Sequence, residues 1–221
     1  MCGRYLIDDE VYADLWMTVS AAADNIGSAL RAEGSAFAPG EVFPSNIAPV
    51  ITCAGASFAK WGFAHWKSAG VIINARAETA LQKAMFRKPL MERRCVVPSA
   101  GFYEWDRTGA LSASGNPGAA FDSKTGKGAR AGKKDKYLLR RPGEHMLFMA
   151  GMTDIFRGAD GLEYIAFAIL TTAANSSMQN IHDRMPVILL PDERDMWIND
   201  EKFFEYAIRR TCPPLELARS V

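Results

Sequence analysis

The chain has 221 residues, enough for one sizeable hydrophobic core and too few for two. Its 48% hydrophobic and 23% charged residues are an ordinary globular composition, which excludes a fibrous or wholly disordered chain. A net charge of +1 excludes a protein held to nucleic acid by bulk electrostatics, but leaves room for a local basic groove.

In chain order, MCGRYLIDDEVYADLW carries acids where a signal peptide needs an uninterrupted apolar stretch. Asp8 to Val19 reads as a helix with an acidic first turn, burying Val11, Leu15 and Trp16. Strands are expected at Val50 to Cys53 and Val71 to Ile73, and Ala77 to Phe86 reads as a helix ending before Pro89. Further strands are expected at Cys95 to Val97, Tyr137 to Leu139, Met146 to Ala150, Tyr164 to Leu170 and Val187 to Leu190. A last helix spans Asp192 to Arg209, turning Trp197, Phe203, Phe204 and Ala207 inward. Strands and helices do not alternate regularly, so the expected fold is α+β: one domain over 1–221, with a mostly antiparallel, barrel-like sheet and flanking helices. The segment 108–136 is rich in Gly, Ala, Ser and Lys, and reads as a flexible insertion between two strands. No apolar run approaches the roughly 20 residues a membrane-spanning helix needs. The four cysteines form no CxxC pair and the three histidines have no ligand spacing. That pattern argues for a reducing cytoplasm, and for neither a metal nor a cofactor.

Five segments carry chemistry. Removal of Met1 is permitted by the small residue after it and would leave Cys2 N-terminal, with an amine and a thiol on neighbouring carbons. That pair condenses with an aldehyde to an imine, which the sulfur closes into a thiazolidine. In NARAET (74–79), a strand end before a helix start suits an anion. There Arg76 could clamp a phosphate and Asn74 could orient the Cys2 amine, against a helix cap with an Arg76–Glu78 ion pair. In RRCVVPSAGFYEW (93–105), strand alternation puts Phe102 and Glu104 on one face, so Glu104 is a partly desolvated acid/base or a satisfied sheet-edge glutamate. IHDRMPV (181–187) offers His182 as proton donor and phosphate contact, or as a structural histidine. WGFAHW (61–66) offers aromatic faces for unstacked bases, though core packing explains most tryptophan pairs.

Taken together, MCGRY, NARAET, RRCVVPSAGFYEW, ILTTAAN (169–175) and IHDRMPVIL resemble the SRAP family of abasic-site shields, with WGFAHW and FPSNIAPV (43–50) as weaker matches. The resemblance implies a covalent crosslink between Cys2 and abasic sites in single-stranded DNA. Glu104 would shuttle protons, His182 would assist at the sugar oxygen, and Asn74 would hold the N-terminal residue. Arg76 and Arg184 would grip phosphates, with Arg4, Arg87 and Trp66 as lesser DNA contacts. It further implies a monomer acting in the DNA-damage response by lyase-type chemistry, with an older description as a thiol autopeptidase. The departures are the long insertion, AGMTDIF at 150–156, and Ala64-His65 within the tryptophan block. Two rival readings remain: a cysteine hydrolase using Cys2, His182 and Glu104 or Asp183, and a non-covalent single-strand-binding module. Thiazolidine chemistry requires Cys2 in a cleft with Asn74, Glu104 and His182 converging on one sugar, and Arg76 and Arg184 open to solvent beside it.

Overall fold

The computed structural model describes residues 2–22, 37–65, 70–106 and 135–220, with side chains 16–22 and 220 outside that description. Trp16, Trp66 and nearly all of the 108–136 insertion therefore fall outside it.

Five strands close into a barrel. Strand β3 (Ile47–Thr52) pairs with β4 (Gly55–Trp61) and β8 (Arg94–Ser99); β8 pairs with β11 (Leu147–Arg157); β11 pairs with β12 (Glu163–Ala173). The ring closes where β12 returns to β4, in parallel, at Ala166↔Lys60 and Phe167↔Trp61. Beyond the closure, β7 (Asn74–Arg76) joins β12 in parallel, and β13 (Arg184–Pro186) joins it antiparallel. Strand β14 (Ile188–Leu189) pairs with β11, and β5 (Phe63–Ala64) with β6 (Val71–Ile72). A second, wholly antiparallel sheet runs β15 (Glu216–Ser220), β10 (Lys136–Arg140), β9 (Gly101–Trp105), β1 (Tyr5–Ile7), β2 (Gly40–Val42).

The alternation of side chains along the barrel strands feeds two cores. Val97, Met149 and Ile169 point into the barrel with Trp61 and Phe167, joined there by Tyr5, Ile7, Val42, Phe102 and Leu139 from the second sheet. The intervening Val96, Phe148, Ala150, Ala168 and Leu170 point outward beneath the helices, against Leu90, Trp197, Phe203 and Phe204. Burial on both faces is why β8, β11 and β12 read as unbroken apolar runs. The first core spans both sheets and makes them one α+β domain, as the sequence predicts.

The helices depart from expectation in two places. The 77–86 segment divides into α2 (Ala77–Ala80) and α3 (Ala84–Glu92), and α3 runs through Pro89. Pro89 cannot donate to a carbonyl one turn back, a loss offset by burying Pro89 and Leu90. The 192–209 segment has a short 3-10 turn, Pro191–Glu193, then α4 (Arg194–Asn199) and α5 (Phe203–Arg209). Asp200 is extended (φ −101°, ψ 114°) and accepts the Lys202 N–H at 2.8 Å, which breaks the helix. Trp197, Phe203, Phe204 and Ala207 are all buried as predicted. The N-terminal helix α1 (Asp9–Ala22) buries Val11 and Leu15.

The 93–105 motif is the corner between the sheets, for β8 lies in the barrel and β9 in the second sheet, with only Ala100 between them. At Gly101 an added Cβ would meet the Leu139 carbonyl oxygen at 2.5 Å, so the close approach of β10 requires glycine. Arg94, itself buried, ties the corner to the helices by donating to the Leu90 (2.9 Å) and Trp197 (2.5 Å) carbonyls. The Trp197 indole returns a bond to Cys95 O at 2.9 Å.

Burial pushes the Cys95 thiol well above its ordinary value of 9.0, and burial first of all also raises Tyr5 and Cys212. A group whose pKa is higher folded than unfolded stabilises the fold fully below the unfolded pKa, and that stability is lost as pH rises past it. The melting temperature should therefore fall steeply from about pH 9 upward, where unfolded thiols ionise. Cys95→Ala should start lower, through its cavity, and fall less steeply with pH; equal slopes would show that Cys95 takes no part.

Candidate active site

Cys2 enters the site through β1. The Tyr5↔Phe102 pairing extends by one residue where the Tyr103 N–H donates to Arg4 O at 2.8 Å. Continuing that antiparallel register sets Gly3 opposite Glu104 and Cys2 opposite Trp105. Asn74 Nδ2 donates to Cys2 O at 2.7 Å across 72 positions of sequence, while Asn74 Oδ1 is buried without a hydrogen-bond partner. Asn74 thus grips the Cys2 carbonyl, where the sequence reading had it orienting the amine. Asn74 is placed by β7 lying beside Ile169 of β12, and by Trp61, whose indole donates to Ile73 O at 3.2 Å. That tryptophan precedes Gly62, at φ 118°, where a Cβ would strike Val71 at 2.7 Å.

Cys2 is not exposed in a cleft as expected; it is fully buried in the first core. Burial first, and then the charge of Glu104, push its thiol far above the ordinary range, so near neutral pH it is a thiol. Glu104 lies on β9 opposite Tyr137 and is 2% exposed, sharing its face with the buried Phe102 as the alternation predicts. Tyr103, on the other face, is buried too.

His182 is 7% exposed, in the turn that Met178 and Met185 anchor to the core cluster of Cys2. The His182 N–H donates to Met178 O at 3.1 Å, and Asp183 O accepts from the Ala174 N–H. Asn175 fixes the start of this turn, donating to Cys212 O and Pro213 O and accepting from Ser177. Nδ1 of His182 lies 3.0 Å from the Arg184 N–H and 2.8 Å from Asp183 Oδ1, two neighbours with opposite demands. The amide can only donate, whereas the Asp183 side chain is 83% exposed and open to solvent. Nδ1 is therefore the acceptor, and the neutral ring carries its proton on Nε2.

The arginines divide into two kinds. Arg76 and Arg87 are exposed and in no ion pair among the described residues. Arg184 is not the open clamp the sequence suggested: its side chain is 13% exposed and forks onto Glu78, at 2.7 and 2.8 Å. The alternative to a phosphate clamp was a structural ion pair of Arg76 with Glu78 or another partner; Glu78 pairs with Arg184 instead. The cause is β12, which sets Arg76 and Pro186 on either side of Thr171 and so brings β13 over the start of α2. Arg4 is likewise occupied, bonded to Glu41 at 3.0 Å and lying over the Phe43 (4.3 Å) and Trp105 (5.1 Å) rings. Lys136 shares Glu41 and lies 3.9 Å over Tyr103. Neither Glu41 nor Lys136 was singled out from the sequence. Helix α2 has four residues, so an anion at its start depends on arginine side chains rather than on a helix dipole.

A family model described as "SOS response associated peptidase (SRAP)" matches residues 1–216. The chain belongs to the SRAP family. Among its relatives, "Abasic site processing protein YoqW" of Bacillus subtilis is 34% identical over 128 residues, 58% of this chain and 48% of that protein. "Abasic site processing protein YedK" of Escherichia coli is 30% identical over 144 residues, 64% of this chain and 54% of that protein. The chain spans about half the length of such relatives, 48% for YoqW. A crystal structure of a protein from Bacteroides thetaiotaomicron shares the fold, with a TM-score of 0.67 at 23% identity over 92% of this chain and 88% of the other. Within this SRAP chain the described residues hold no group of three His, Cys, Asp or Glu side chains arranged for a metal.

The geometry at His182 is open to direct test. Long-range proton–nitrogen NMR above the titration of the ring should show Nε2 protonated and Nδ1 bare. A neutral Nδ1–H tautomer would mean that Asp183, and not the Arg184 amide, sets the ring.

Proposed function

We propose that this SRAP protein senses and shields abasic sites in single-stranded DNA by forming a thiazolidine at Cys2 once Met1 is removed. The observation that carries the reading is the Asn74 side chain. Its Nδ2 holds the Cys2 carbonyl, and its buried Oδ1 has no partner, an acceptor that a freed Cys2 amine would satisfy. The relatives named for abasic site processing support the same substrate.

The chemistry balances without a cofactor. The Cys2 amine attacks C1′ of the ring-opened sugar aldehyde, and loss of water leaves an imine. Sulfur then adds to the imine carbon, forming the C–S bond while the thiol proton passes to nitrogen. Because burial keeps Cys2 a thiol, that proton needs an acceptor, and Glu104 is the carboxylate whose charge the sulfur feels. His182, with its proton on Nε2, is the donor for the sugar oxygen as the ring opens. Arg76, Arg184 and, at longer reach, Arg4 and Arg87 hold phosphates, and Trp66 offers a face to a base. The protein acts as a monomer in a reducing cytoplasm. Removal of Met1 by the protein itself is the finer step of this reading.

An abasic oligonucleotide run on a denaturing gel tests the proposal. The protein should give a shifted band that is lost when Met1 is retained. Cys2→Ser and Cys2→Ala should leave only a hydrolysable imine, and a stable crosslink from either would overturn the thiazolidine. Glu104→Gln should slow both capture and release, release by roughly 10²-fold. Wild-type rates in that variant would make the carboxylate structural.

A further inference from the structure

We infer that Glu78 is a selectivity residue: an internal anion that occupies the phosphate-binding fork of Arg184 and must be displaced by DNA. The inference rests on the reading of Arg184 as a phosphate contact and adds a competitor to it.

Arg184 offers both terminal nitrogens to Glu78, at 2.7 and 2.8 Å, in the parallel two-bond geometry that a phosphate would also take. Nη2 is further held by Thr171 O at 2.5 Å and Thr171 Oγ1 at 3.3 Å, which fixes the guanidinium whichever anion it binds. The carboxylate is the more exposed member of the pair, 45% against 13% for Arg184, and so the one that can turn into solvent. Its hydrogen bond to Arg184 holds Glu78 below the usual carboxylate range, so at neutral pH it is charged. Arg76, two residues before it and exposed, adds positive potential but forms no ion pair with it.

This arrangement changes what DNA gains at the site. A phosphate that neutralises a free cation releases condensed counterions, and single-strand binding then loses about 0.7 in log–log salt slope per contact. At Arg184 the phosphate displaces a carboxylate, which must take up a cation in its turn, so little net release follows. Undamaged strands are therefore held weakly and leave quickly. An abasic strand is retained because the covalent step at Cys2 does not depend on that exchange. Glu78 thereby separates scanning from capture.

The test is binding of an undamaged single-stranded oligonucleotide across a salt series, by fluorescence anisotropy, for the wild type, Glu78→Gln, Arg184→Ala and the double variant. Glu78→Gln should bind roughly 3–10-fold tighter at low salt, with a slope steeper by about 0.7. Excess undamaged strand should then inhibit abasic capture at proportionately lower concentration. In the Arg184→Ala background, Glu78→Gln should change neither affinity nor slope. If Arg184→Ala weakens binding while Glu78→Gln matches the wild type or binds less well, the competitor role is wrong and the phosphate contact stands. If Glu78→Gln tightens binding equally without Arg184, the effect is a general loss of negative charge and the inference falls. If Arg184→Ala binds as the wild type does, the phosphate contact itself is wrong and the inference falls with it.

Discussion

Strand β12 is the constraint on which the rest of the molecule depends. Along one edge it pairs in parallel, first with β4 and then with β7; along the other it pairs antiparallel, first with β11 and then with β13. Its first half closes the barrel, and its last three residues stand beyond the closure with a short strand on each side. A shift of one residue would turn its inward side chains outward and detach both short strands. The register is held by burial on both faces, since Phe167 and Ile169 fill one core and Ala168 and Leu170 the other. The site is assembled from what those two short strands carry: Asn74 and Arg76 on one, Arg184 on the other, with His182 two residues before it.

The second sheet accounts for the burial of Cys2. Strand β1 pairs with both β2 and β9, so the N-terminal residues enter the molecule along that sheet and Cys2 joins a core that includes Trp61, Phe102 and Phe167. Burying a carboxylate such as Glu104 there disfavours the fold unless its charge is compensated. The buried acceptor on Asn74 is a separate cost, for a single unsatisfied oxygen costs about 1–3 kcal/mol. Both side chains bear on one residue, Cys2.

Much of this was legible in the sequence because its physical cause is local. The apolar runs at 95–97, 146–150 and 164–170 announce strands buried on both faces, and the alternation at 102–105 correctly set Phe102 and Glu104 on one side. Strand β4, GASFAKW, escaped notice because its small residues leave no β-branched run, and β1, β2 and β15 because they are short. The continuous helix expected over 192–209 failed at Asp200, where a side chain captures a backbone amide two residues on. Positions of cations could be read from the motifs, but their partners could not. Glu41 is 37 residues from Arg4 and Glu78 is 106 from Arg184, separations closed by the β1–β2 pairing of the second sheet and by β12 of the barrel in turn.

Those partners alter the meaning of the near-zero net charge. A basic groove on a neutral protein is usually pictured as uncompensated cations on one face, balanced by acids elsewhere. Here the candidate cations are balanced locally, as Glu41 neutralises Arg4 and Lys136 while Glu78 neutralises Arg184. Among the described arginine candidates, Arg76 and Arg87 remain unpaired, and a field from two charges decays within about a Debye length of ~8–10 Å. Under the proposed function attraction is therefore short-ranged and modest, and the paired arginines would engage only when a phosphate lies close enough to exchange with a carboxylate. A protein that commits covalently has reason to begin this way. Under the proposed function its retention on DNA is set by a bond formed at the lesion, so tight non-covalent binding elsewhere would only delay the search for one.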